Sequence, residues 1–355
     1  MKQEECDILI VGAGPAGSSA AIAAAEKGLK VLVAERRKTV GIPVRCAEYI
    51  PGMLLGEIGL GRGFVVQPVR GMKTFISGKE DKETIAPGFM VNRDILDQCI
   101  AEAAEKAGAR IFLSTSALSR GREGILLRTK AGDNISVNAK VVIGADGPHS
   151  TVGRWIGSEN RNLIPGIQYS VPLSRQMDFT EIYIEKDFFA GYAWVFPKGD
   201  TANIGIGMKK RDQRSPSIQE VLKKFLQRLS REGKVREGSF RTMAGWIPAE
   251  SPRKIRKGNV ILAGDAAGHT HPITGAGVSQ AVMGGRMAGK WAAEAVISKD
   301  IEALGGYEDE WSDLFGETLE RACSRRNLME ENWENFDGII RKCWVSYKRY
   351  YERDN

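Results

Sequence analysis

The first residues with a chemical reading are the glycines of Gly12-Ala13-Gly14-Pro15-Ala16-Gly17, set directly after the apolar run 6–11. Gly12 permits a tight turn and Gly14 lets the backbone approach a pyrophosphate, while Gly17 lets the next helix pack on the strands. The Ala-rich stretch 18–27 supplies that helix. Its first turn, which includes Ala16, offers unpaired N–H groups and a partial positive charge to phosphate. A second apolar run, 30–34, closes on Glu35 and Arg36. A carboxylate at this strand end accepts hydrogen bonds from an adenosine ribose, and Arg36 joins it as a cofactor contact. Strand, glycine turn, helix, strand and acid, in that order, make a dinucleotide site.

Two later strand ends lengthen the ligand. The run 140–144 ends in Ala145-Asp146-Gly147, and the run 259–263 ends in Gly264-Asp265-Ala266-Ala267. An acid at the C-terminal end of a parallel strand faces the ligand crevice. Gly275 and Gly277 then allow close backbone approach to a flat ring, just before a helix that opens at Val278. A ligand touched by strand ends so far apart in the chain is long, as FAD is. One fingerprint leaves no place for a second permanently bound nucleotide. The electron donor, whether NADPH, NADH or ferredoxin, is not legible.

These three motifs resemble the flavoproteins built like para-hydroxybenzoate hydroxylase. Pro43-Val44-Arg45-Cys46-Ala47-Glu48 and Gly191-Tyr192-Ala193-Trp194-Val195-Phe196-Pro197 resemble a narrower branch, the geranylgeranyl reductases. Those enzymes use FAD to reduce isolated C=C bonds in polyprenyl chains. The resemblance implies that the glycine turn and Glu35 hold the ADP half, Asp146 and Gly147 lie near the pyrophosphate, and Asp265 binds the ribityl chain. It further implies that Cys46 and Ala47 contact the flavin, that Arg93 helps hold the cofactor, and that Ala117 meets the adenine side through its backbone. Tyr192, Trp194 and Phe196 would line a cavity for a hydrophobic isoprenoid or lipid. Members commonly read Arg-Cys-Gly-Glu-Gly, whereas this chain has Ala47 and Tyr49; Phe189 stands where the aromatic motif often begins with proline.

The reaction so implied is hydride transfer to one alkene carbon and proton transfer to the other. Cys46, Tyr49, His271 or water is the candidate acid. Two other readings share the fold: a monooxygenase of a hydrophobic substrate, and a non-catalytic flavin electron carrier with a redox partner.

Plainer readings stand beside these. Tyr192, Trp194 and Phe196 alternate with period two, which also describes the core face of a sheet. Cys46 reads equally as a structural thiol, although Arg45 beside it would favour the thiolate. His269 and His271 could chelate a metal, yet His149 is the only other histidine and no acid or cysteine completes a set. No metal is expected. The cysteines, 6, 46, 99, 323 and 343, show no CxxC pair, which argues against a disulfide framework.

Composition bounds the rest. The chain has 355 residues, 42% of them hydrophobic, and a net charge of +7. No run approaches the ~20 apolar residues a spanning helix needs. No signal peptide precedes the first strand, so a cytoplasmic protein is expected. The positive charge is dispersed and no groove-entering motif accompanies it, which excludes nucleic acid as a partner. Attraction to a pyrophosphate or to a membrane surface accounts for it, and peripheral membrane contact stays open.

The elements that must position these residues form an α/β fold. A Rossmann-type FAD-binding domain is expected from discontinuous pieces, 1–75, 90–155 and 255–295. A substrate domain of antiparallel sheet follows over 160–250, with strands at 167–171, 179–184, 192–196 and 202–208 and a helix at 217–230. A helical segment, 300–355, ends in Trp344, Tyr347, Tyr350 and Tyr351 among Lys and Arg. That end suits either a membrane surface or a packed terminal helix.

Overall fold

A computed structural model describes residues 2–121, 124–236, 238, 241–250 and 253–352. Its first sheet orders the strands Arg110–Phe112, Val31–Ala34, Lys2–Val11, Asn134–Gly144 and Val260–Leu262, with every neighbouring pair parallel. Ile8, Leu9 and Ile10 have no exposed surface, as an unbroken apolar run between two covered faces requires. The helices Pro15–Ala25 and Val278–Ser298 cross at backbone contact. A Cβ at Gly285 would fall 2.2 Å from the Ala16 carbonyl oxygen, and one at Gly289 2.2 Å from that of Ala20. An antiparallel meander, Thr115–Gly121, Gly124–Thr129 and Asn134–Gly144, completes this domain.

The second sheet has eight strands in the order Arg241–Pro248, Leu163–Pro172, Thr201–Gly207, Tyr192–Lys198, Phe179–Ile184, Val65–Ile76, Lys79–Val91 and Tyr49–Pro51. All pairs are antiparallel except Phe179–Ile184 with Val65–Ile76. The hairpin 65–91 therefore pairs with the substrate sheet, although 65–75 was expected with the cofactor domain. The first part of Lys79–Val91 is a solvated polar run that interrupts the apolar–polar alternation, which weakens the sequence signal. Arg241–Pro248, an edge strand with alternating exposure, carries the same weak signal.

The helix Ile218–Arg231 covers one face of this sheet through Val221, Leu222, Phe225 and Leu229. Ser217 and Glu220 close its start with a capping box. The other face carries Trp194 and Ile182, against which the helices Glu317–Glu331 and Phe336–Cys343 pack. Trp344 and Tyr350 are buried in that same layer, and the Tyr347 hydroxyl donates to Asp81. Three of the four terminal rings are thus committed to packing. Tyr351 is exposed.

Candidate functional site

The glycine turn is braced from the neighbouring strand. Glu35 Oε2 accepts the Ala13 N–H at 2.8 Å and Oε1 accepts the Arg37 N–H at 2.8 Å. Gly12 adopts φ 101°, which only glycine takes without strain. A Cβ on Gly14 would meet nothing within 4 Å, so the helix N-terminus opens onto free space. A cavity of about 540 Å³ opens beyond the Glu35 strand end, lined by Arg36, Arg37, Arg45, Ser116, His149 and Trp246 among others. Ala117 follows Ser116 at a bulge in its strand. Three guanidinium groups lining one cavity form an anion site and fit the ADP half of FAD.

The two strand-end acids are used differently. Asp146 spends its oxygens on its own chain: it accepts from Ser150 Oγ at 2.5 Å and from the Thr151 N–H at 2.6 Å. It thereby fixes the start of the helix Thr151–Ile156 and presents Gly147, which has φ 85°. Asp265 is half-buried and accepts from Thr270 Oγ1 at 2.8 Å. Burial raises its pKa, while that hydrogen bond and the nearby Arg93 pull it back. A Cβ on Gly277 would come 3.4 Å from Asp265 Oδ1, so the carboxyl lies under the 275–277 turn where the helix of Val278 begins. Asn160 ties the two loops, donating from Nδ2 to the carbonyls of Pro148 and Asp265.

Cys46 lies half-buried in a turn pinned from the substrate sheet. Gln168 Nε2 donates to the Cys46 carbonyl at 2.8 Å, and Asn203 Nδ2 donates to that of Ala47 at 3.1 Å. Glu48 has left-handed backbone, φ 69°. Its N–H donates to Cys46 Sγ at 3.2 Å. Its carboxylate accepts from Lys198 Nζ at 2.6 Å, Asn203 Nδ2 at 2.9 Å and the Arg93 N–H at 3.0 Å. The Arg93 guanidinium holds Asp97 at 2.9 Å and reaches the Cys46 thiol. Arg93 interacts electrostatically with both Cys46 and Asp265.

The aromatic strand meets this turn. Trp194 Nε1 donates to Gln168 Oε1 at 3.1 Å, and the Tyr192 hydroxyl donates to the Thr274 carbonyl. Tyr49 packs edge-on against Phe196, with ring centroids 6.2 Å apart. The Tyr49 hydroxyl donates to the Ala86 carbonyl at 3.3 Å, and burial raises its pKa. Committed in this way, Tyr49 is a wall rather than an acid. His271 is corrected more firmly. Its Nδ1 accepts from the N–H groups of Ile273 and Thr274, its Nε2 lies 3.2 Å from the Tyr350 hydroxyl, and burial lowers its pKa to about 4. A neutral ring engaged at both nitrogens is a post for the loop, not a proton source. His269 turns elsewhere and stacks on Trp311 at 3.8 Å, so the two histidines do not converge on a metal.

Glu48, Gln168, Lys198 and Asn203 were not singled out from the sequence. Gln168 and Asn203 carry a faint signal, since each is a polar residue inside an otherwise apolar strand. Glu48 stood within the Cys46 motif without an assigned role.

Comparison with known proteins agrees with this geometry. A family model described as an FAD binding domain matches residues 5–320. Digeranylgeranylglycerophospholipid reductase of Methanothrix thermoacetophila is 35% identical over 342 residues, spanning 89% of this chain and 85% of the relative. The protein of the same name from Methanosarcina acetivorans is 33% identical, spanning 98% of this chain and 91% of its own length. A crystal structure of a geranylgeranyl bacteriochlorophyll reductase-like protein from Thermoplasma acidophilum superposes with a TM-score of 0.84 at 28% identity, covering 96% of this chain and 92% of that one.

Proposed function

The chain belongs to the FAD-binding digeranylgeranylglycerophospholipid reductase family, and on that footing we propose that it saturates C=C bonds in the geranylgeranyl chains of a lipid. One observation carries the reading: the Cys46 turn joins the Arg93 and Asp265 side of the cofactor site to the Trp194 face of the substrate sheet. When bound and reduced, FAD supplies the hydride.

The chain's own residues do the rest. Glu35, the 12–17 turn and the arginine-lined cavity hold the ADP half, while Asp265 and the 275–277 turn receive the remainder. Tyr192, Trp194 and Phe196 wall the alkene away from water. An isolated alkene is a poor hydride acceptor, so a proton must reach its second carbon as the hydride arrives. Cys46 Sγ–H is the acid assigned to this step, because its thiol is half-buried in the turn that Gln168 and Asn203 pin beside the aromatic strand. Solvent then returns the proton to sulfur.

A lipid substrate calls for contact with a bilayer, although no described helix is long and apolar enough to cross one. Met53 and Ile85 are 82% and 64% exposed. They flank the Gly52 to Pro87 hydrogen bond of 3.0 Å, beside the Ala86 carbonyl that Tyr49 reaches. Since Tyr49 touches Phe196, this patch gives a prenyl chain an apolar path toward the aromatic wall.

Mass spectrometry of small molecules released from the purified protein tests the reading. FAD together with a prenyl lipid is expected, and substrate-dependent oxygen consumption would instead indicate a monooxygenase.

A further inference from the structure

We propose that Gln168 is a positioning residue, a buried amide bridge that transmits the place of the Trp194 ring to Cys46. The inference rests on the reading of Cys46 as the proton-bearing group. Gln168 is 3% exposed and both ends of its amide are committed. An indole N–H can only donate, so the atom facing Trp194 Nε1 at 3.1 Å is Oε1. A carbonyl can only accept, so the atom facing the Cys46 oxygen at 2.8 Å is Nε2. Each contact fixes the amide orientation that the other requires.

The surrounding sheet is shaped for this bridge. Gly205 lies opposite both Gln168 and Trp194 in the register of its two neighbouring strands. A Cβ there would fall 2.4 Å from Trp194 Cζ2 and 2.5 Å from Gln168 Cβ, so the bridge forms only because glycine leaves the space. On the far side, the Glu48 N–H holds Cys46 Sγ at 3.2 Å. Carbonyl and sulfur of the same residue are therefore both tied, and the thiol direction follows the Gln168 contact. A chain pressed against Trp194 acts on the same bridge.

The directionality separates bridging from mere packing. Gln168→Glu can still accept from Trp194 but cannot donate to the Cys46 carbonyl; Trp194→Phe leaves the amide unanchored; Gln168→Leu removes both contacts. The experiment measures the alkylation rate of Cys46 by iodoacetamide across pH, peptide by peptide, in the FAD-loaded protein, alongside kcat and KM with a geranylgeranyl lipid. All three variants are expected to raise the Cys46 alkylation rate by about tenfold and to lower kcat by ~10- to 100-fold, with KM within about twofold for the two Gln168 variants, as a misplaced acid does. A Gln168→Leu protein with wild-type melting temperature, alkylation profile and kcat would overturn the proposal. Should Gln168→Leu fail to fold, Trp194→Phe, which mainly removes the N–H donor, decides it by the same readouts. If the wild type turns over no prenyl lipid, the reductase reading fails, while the alkylation arm still decides the bridge.

Discussion

Glu48 and Lys198 form a 2.6 Å ion pair behind the Cys46 turn, with side chains 4% and 17% exposed. The pair joins a loop of the cofactor side to the end of the aromatic strand. Removing one partner strands the other charge in a poorly solvated site, which costs about 3–5 kcal/mol. Glu48→Ala and Lys198→Met should each lower stability by that order in urea unfolding. The double variant Glu48→Gln with Lys198→Met should recover part of the loss.

His271 gives the stability a pH dependence. Its folded pKa is about 4, lowered by burial, against an unfolded value of about 6.5. Between those values the unfolded chain binds the proton and the folded chain does not, so stability rises with pH across the window. Acidification from neutrality toward pH 4 should weaken the fold by about 1 kcal/mol per unit from this group. His269, lowered by its own burial, adds in the same direction. Urea midpoints for the wild type and His271→Gln should diverge above pH 6 and converge as the pH falls.

The crossing of the two long cofactor-domain helices has no slack. Gly289→Ala would drive a methyl group into the Ala20 carbonyl, 2.2 Å away. Overpacking of this kind costs about 1–3 kcal/mol, and the melting temperature should fall accordingly. Because Gly289 lies three turns along the helix from Val278, FAD affinity in the surviving folded protein should change little.

Much of this was legible beforehand because local backbone demands leave marks in sequence. The 12–17 glycines, Glu35 and Asp265 occupy a turn, a strand end and a helix start, local backbone positions that sequence spacing makes legible. Tyr192, Trp194 and Phe196 share a face because strand side chains alternate. Asp146 sits where expected, but its oxygens serve the helix it precedes, a choice that spacing does not reveal. His271 looked like chemistry and proved to be support, since its partner Tyr350 is 79 residues away. Gln168 and Asn203 left only a faint signal for the same reason: their meaning lies in the Cys46 turn, reached only across the sheet. The stretch 65–75 pairs with the second sheet rather than the first, because the solvated edge of its hairpin dilutes the alternation that identifies a strand.

The exposed patch at Met53 and Ile85 predicts a surface behaviour. The double variant Met53→Asp with Ile85→Asp should sediment less with vesicles containing anionic lipid than the wild type does. With a detergent-dispersed prenyl substrate KM should rise while kcat is retained, because the patch serves entry and lies apart from the Cys46 turn.

Hydride transfer from this FAD site to a prenyl double bond beside Cys46 is the step on which the proposed function turns. A single anaerobic turnover tests it most directly: the reduced protein is mixed with a geranylgeranyl glycerolipid, while flavin absorbance and lipid mass are followed together. The account predicts flavin reoxidation at the rate at which the lipid gains two hydrogens per double bond, slowed at least tenfold in Cys46→Ala. A flavin that stays reduced with every prenyl lipid offered, its mass unchanged, would contradict it.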